Sequence, residues 1–158
     1  MKSRHAVLVS LAAAVTLTSV AAAGPDGVEQ RVAITSQAAQ TTEVSPVVIA
    51  PLEAGPLKRD SGTMTASVPS ERVVMRAGQR VSIYDGPATL KGKRGTLVLR
   101  FRTEYVDGGN GYHVGRGTWK VVRGTGEYAG ITGGGRTGAV WLDRGPWSSR
   151  AEGFLTVP

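Results

Sequence analysis

The chain has no cysteine, and only two of its 158 residues are histidine. The first absence excludes disulfides, thiol nucleophiles, iron–sulfur clusters and thiolate zinc sites. His5 belongs to an amino-terminal segment that reads as a leader, so His113 is the one imidazole of the mature chain and a histidine-rich metal centre is excluded too. Aromatic residues make up only 6% of the sequence, and no window carries an apolar stripe at helical spacing. Cofactor motifs are lacking as well. The run Gly124 to Gly130 has the wrong spacing for a dinucleotide fingerprint, and Glu127 within it would repel phosphate. Ser61, Ser148 and Ser149 have no nucleophile elbow around them. No cofactor and no metal are expected.

What is present begins with a leader pattern. Lys2 and Arg4 precede an apolar run from Ala6 to Val20, and Ala21 and Ala23 are the small residues that a signal peptidase accepts. The pattern predicts a signal peptide over residues 1–23, cleaved after Ala23, and a secreted, extracellular protein. Ser10, Thr16, Thr18 and Ser19 dilute the run below what a stable span needs, so no membrane anchor is expected after cleavage. There is no twin arginine and no cysteine to carry a lipid.

Residues 24–57 are rich in Ala, Thr, Ser, Gln and Pro and hold no aromatic residue. Such a composition predicts a flexible linker, because little apolar surface is available to offset the entropy of ordering. Within it, Ser45 to Pro51 is β-prone, but its prolines allow an edge strand at best.

Residues 58–158 read as one all-β domain. Leu97, Leu99 and Phe101 alternate with Arg100 and Arg102, and Arg80 to Tyr84 alternates likewise. Met64 to Val68, Arg72 to Met75, Thr118 to Val122, Ala139 to Leu142 and Glu152 to Val157 read as further strands, several of them separated by glycines. Twelve of the 22 glycines fall between Gly108 and Gly138. Glycines at turns and bulges let a strongly coiled sheet close on itself, so a small antiparallel β-barrel is favoured, with a sandwich as the alternative.

The stretch from Gly117 to Gly135, GTWKVVRGTGEYAGITGGG, is the most distinctive. Trp119 and Val121 share one side of a strand, Gly124 and Gly126 permit a sharp turn, Tyr128 and Ile131 tuck a short helical turn against the barrel end, and Gly133 to Gly135 re-enter a strand. This strand, turn and strand resembles the allene oxide cyclase barrel superfamily, especially small exported bacterial proteins. Plant allene oxide cyclases and dirigent proteins belong to the same broad group. The resemblance implies an antiparallel barrel with an apolar interior and a homo-oligomer. It names no activity, and no pocket residue is carried over from it.

Three constellations are candidates for function. Antiparallel pairing brings Arg100, Arg102 and Glu104, with Asp107, Tyr112 and His113 across the next hairpin, to one barrel mouth in this reading. There Glu104, Asp107 or His113 is the candidate acid or base, and an arginine holds an anion. The competing reading is a solvated outer face. The aromatic residues Trp119, Tyr128, Trp141, Trp147, Tyr84 and Tyr105 would line an apolar lumen, or else fill it. Finally, residues 58–158 carry 16 basic against 8 acidic side chains, within a net charge of +7 for the chain. This suits an anionic envelope polymer or lipid, although solubility alone accounts for it. Export and the lack of a reader motif argue against nucleic acid. The expectation is therefore a secreted, non-catalytic barrel that binds a small apolar ligand or an envelope partner. The alternative is a cofactor-free isomerase or cyclase, in which a dry lumen shapes a flexible substrate.

Overall fold

A computed structural model describes residues 27–39, 44–67, 70–143 and 145–158. Nine strands form one antiparallel sheet: β1 Val28–Ala38, β2 Val44–Pro51, β3 Asp60–Ala66, β4 Ser70–Arg76, β5 Gln79–Gly92, β6 Thr96–Asp107, β7 Tyr112–Gly124, β8 Thr132–Leu142 and β9 Trp147–Val157. Each strand pairs with the next in sequence, except that β3 and β4 take consecutive stretches of one edge of β5 and act as a single interrupted strand. Pairing of β1 with β9 along all eleven residues of each closes the ring. The result is a closed, eight-stranded, up-and-down barrel. The expected leader lies outside the described residues.

The linker expectation fails for the described residues from 28 to 57. They supply β1 and β2, two staves of the wall, and β2 is paired on both edges rather than being an edge strand. Composition misled because polar residues in β1 face inward and find tertiary partners. Gln30 is 1% exposed, yet its side chain donates to the Glu53 and Leu57 carbonyls and accepts from the Leu57 N–H at 2.8 Å. Ser36 is also buried, and its hydroxyl meets the Ser45 hydroxyl and the Pro46 carbonyl. A buried polar group satisfied in this way costs little, but its partners are invisible in the local sequence.

Consecutive hairpins place the loops alternately at two ends. One end is closed. Leu90, Leu97, Leu99, Leu155 and Val32 fill the lumen there, all at 1% exposure or less. Trp119 is buried there: register sets it beside Gly135 and then Gly153, two glycines that let the β8 and β9 backbones approach closely, and its Nε1 donates to the Glu152 carbonyl at 3.3 Å. Beneath lies a 3-10 turn, Gly126–Tyr128, with Tyr128 buried and Ile131 packed beside it.

Asp60 ties this end together. Its carboxylate accepts the backbone N–H groups of Ser61, Lys93 and Arg94 at 2.8–3.2 Å and the Tyr128 hydroxyl at 3.0 Å. Burial alone would raise its pKa. The donors from Arg94, Tyr128, Ser61 and Lys93 outweigh burial and hold it below the ordinary carboxylate value. Burial first, then Asp60, pushes the Tyr128 hydroxyl above its usual range, so it stays a donor.

Three outcomes follow. Because Asp60 titrates lower folded than unfolded, its stabilisation is complete above the ordinary carboxylate pKa and is lost as pH falls through the depressed value. Asp60→Asn should cost about 2–3 kcal/mol at neutral pH and flatten the acid limb of a plot of unfolding free energy against pH; an unaltered acid limb would remove Asp60 from this role. Gly126 has φ +64, and a Cβ there would collide with the Arg94 carbonyl oxygen. Gly126→Val should therefore cost about 2–4 kcal/mol in chemical denaturation, and an unchanged midpoint would refute the turn. Deleting residues 28–57 removes two staves, so cooperative thermal melting by circular dichroism should disappear; a truncated chain that still melts sharply would show the ring closes without them.

Candidate functional site

The other half of the barrel is open. Inward positions there are small: Ser36 on β1, Gly86 and Ala88 on β5, Thr103 on β6, Thr137 and Ala139 on β8, Ser149 and Ala151 on β9. Small side chains cannot meet across an eight-stranded lumen, so a cup of about 430 Å³ remains, within the range of small-molecule sites. Ile34 and Met64 line one wall, Phe101 another, and Tyr84, Tyr105, Trp141 and Trp147 surround its upper part.

The aromatic wall follows from register. His113 on β7 pairs with Trp141 on β8, and their rings stack with centroids 4.7 Å apart. Tyr105 pairs with Gly115, and a Cβ at residue 115 would clash with the Tyr105 ring, so this glycine lets the ring cross β7 to meet Trp141 edge-on at 4.4 Å. Tyr84 meets Tyr105 edge-on at 5.1 Å, and its hydroxyl donates to Glu71 on β4 at 3.0 Å. Burial raises the pKa of Tyr105, and burial followed by Glu71 raises that of Tyr84, so both phenols stay neutral and the cup wall carries no charge from them. The indole N–H of Trp147 is buried without an acceptor among the described residues.

Of the residues singled out from sequence, Tyr105 and Trp141 line the cup, together with Tyr84 and Trp147. Trp119 and Tyr128 belong to the packed end, where they fill the core. Of the charged cluster, register pairs only Asp107 with His113; the arginines and Glu104 are not brought to the mouth with them. The inward set on β6 is Leu97, Leu99, Phe101, Thr103 and Tyr105, so the period of two turns Arg100, Arg102 and Glu104 to the outer face. There Arg100 bonds Asp85 at 2.6 Å and Glu104 bonds Arg76 at 2.6 Å, each pair lowering its carboxyl pKa chiefly through that hydrogen bond. Tyr112 is 42% exposed. Asp107 caps its own turn, accepting the Gly109 N–H at 2.7 Å.

His113 alone of that cluster reaches the mouth with a chemical partner. Its Nε2 lies 2.6 Å from Asp143 Oδ1, and the imidazole side chain is 21% exposed. Asp143 was missed, because two residues beyond a strand's paired partner is a position that only a register can identify. The small residues of the cup were missed too. Their signal was readable: small side chains at inward parity recur on β5, β7, β8 and β9.

No protein-family profile, curated protein or solved structure matches this chain.

Proposed function

We propose that this protein is an exported, non-catalytic binder of a small apolar molecule, which it holds in the open half of the barrel. The observation that carries this reading is the lumen's division into a packed end and an empty apolar cup walled by Tyr84, Tyr105, Trp141 and Trp147. A barrel built only to be stable would fill that space, since each cavity forfeits packing energy. The basic start, apolar run and small residues up to Ala23 support export. The run from Gly117 to Gly135 supports kinship with small exported members of the allene oxide cyclase barrel superfamily.

A second reading is favoured by one feature, the His113–Asp143 pair at the mouth. In a cofactor-free isomerase the imidazole would move a proton on a substrate seated in the cup, with Asp143 orienting the ring. Retention and turnover separate the two readings. His113→Ala should leave apolar binding intact under the first and abolish turnover of any substrate under the second.

The primary test uses N-phenyl-1-naphthylamine, which fluoresces on entering apolar sites. The native protein should bind one equivalent with a dissociation constant in the micromolar range, roughly −8 kcal/mol. Ala139→Phe, which puts a ring into the cup, should weaken binding at least about tenfold while the protein still melts cooperatively. No saturable fluorescence, or equal binding by the filled variant, would overturn the assignment.

A further inference from the structure

The charge on the barrel's outside is unevenly distributed. Outward positions of β2 and β3, and of β1 from Ala33 to Gln37, carry no charged residue. The face of β6, β7 and β8 is cationic instead. Register sets Arg102 and Arg136 on either side of Thr118, so the two guanidinium stems leave the sheet about 10 Å apart. Arg116 and Lys120 flank Thr118 along its own strand, about 13 Å from one another. All four cations are exposed, and none forms an ion pair or side-chain hydrogen bond among the described residues. Glu104 stands opposite Arg116 in register and Glu152 opposite Arg136, but the carboxylates of this region bond to other arginines: Asp85 to Arg100, Glu104 to Arg76, Glu152 to Arg31 and Arg150. Cations outnumber the acids on this wall while the outward positions of β2 and β3 carry no charge, an uneven distribution that solubility alone does not require.

Two apolar side chains adjoin this cross. Val122 follows Lys120 on the same face of β7 and is 55% exposed. Phe154 is 45% exposed and is separated from Lys120 only by Gly134, which has no side chain to stand between them. Cations on their own suit any polyanion. A phenyl ring and an isopropyl group held out in water beside them suit an interface that has a hydrocarbon layer behind its anionic groups. Charges in mid-wall also exclude a barrel that spans the bilayer, whose outer band must be apolar.

We propose that this wall of the barrel docks peripherally on an anionic lipid bilayer. Arg102, Arg116, Lys120 and Arg136 contact headgroup phosphates, and Phe154 and Val122 enter the interface. The closed end and the open mouth then both lie along the surface, so the cup remains accessible from its rim. The site is on the outside of the wall and does not depend on what the cup holds.

The test is co-sedimentation of the full-length exported protein with vesicles of phosphatidylcholine alone or with 30% phosphatidylglycerol, at about 0.1 M salt. Binding is expected to the anionic vesicles only and should fall steeply with added salt. A triple variant, Arg102→Gln, Lys120→Gln and Arg136→Gln, should lose about a hundredfold in partitioning, at roughly fivefold per cation. Phe154→Ser should lose about tenfold while binding soluble long-chain polyphosphate as the native protein does. All four positions are exposed, and unchanged melting curves would establish that the variants are folded; if the triple variant melts early, Lys120→Gln alone should still lose about fivefold. Equal binding to both vesicle types overturns the proposal, as does native affinity in the triple variant. Binding to polyphosphate without binding to vesicles, or a Phe154→Ser variant that partitions normally, assigns the wall to a soluble polyanion and overturns the bilayer.

Discussion

Pairing of β1 with β9 is the interaction on which everything else rests. Val28–Ala38 and Trp147–Val157 match residue for residue, and this seam turns an open meander into a ring with an inside. Closure satisfies backbone groups at both edges that would otherwise face water or another chain. It also fixes the lumen's width. An interior surrounded by eight strands is narrow enough for large side chains to fill and wide enough to stay open where they are small.

The same ring is therefore used in two ways. At the closed end, leucines and Trp119 meet across the lumen, while Gln30 and Asp60 convert loop backbone into a cap through buried hydrogen bonds. At the mouth end the inward residues shrink to Gly, Ala, Ser and Thr, and aromatic rings line the wall without closing it. The rigid end holds the other in shape. Tyr84, Tyr105, Trp141 and His113 stand in a chain of ring contacts fixed by strand register, and so form a preorganised wall. Outside, the same alternation that turns Leu99 and Phe101 inward turns Arg100 and Arg102 outward, so the cup and the cationic wall are opposite faces of one sheet.

Fold class and several strands of the carboxy-terminal part were legible because their alternation is strict. Leu97, Leu99 and Phe101 against Arg100 and Arg102 leave one face to bury and thereby set register. The turn at Gly126 was legible too, since closely spaced glycines around a lone tyrosine have few uses other than a sharp reversal. The amino-terminal staves were not. The inward face of β1 contains Gln30 and Ser36, whose acceptability depends on carbonyls in a loop and a strand far along the chain. The charged cluster read from sequence split for a related reason: Asp107 and His113 are partners in register, but alternation turns Arg100, Arg102 and Glu104 to the opposite face of the sheet.

By itself, then, the sequence determined that the chain is all-β, which of its alternating residues are buried and where it reverses, because these depend on neighbours one to four positions away. It also carried the excess of positive charge. Tertiary structure alone decided that Trp119 fills space while Trp141 borders it, that His113 meets Asp143, and that Arg102 and Arg136 flank Thr118 on one wall. Each of these depends on the register between strands and on the closure of the ring. Those are set by the packing of the whole barrel, and no local window of the chain contains them.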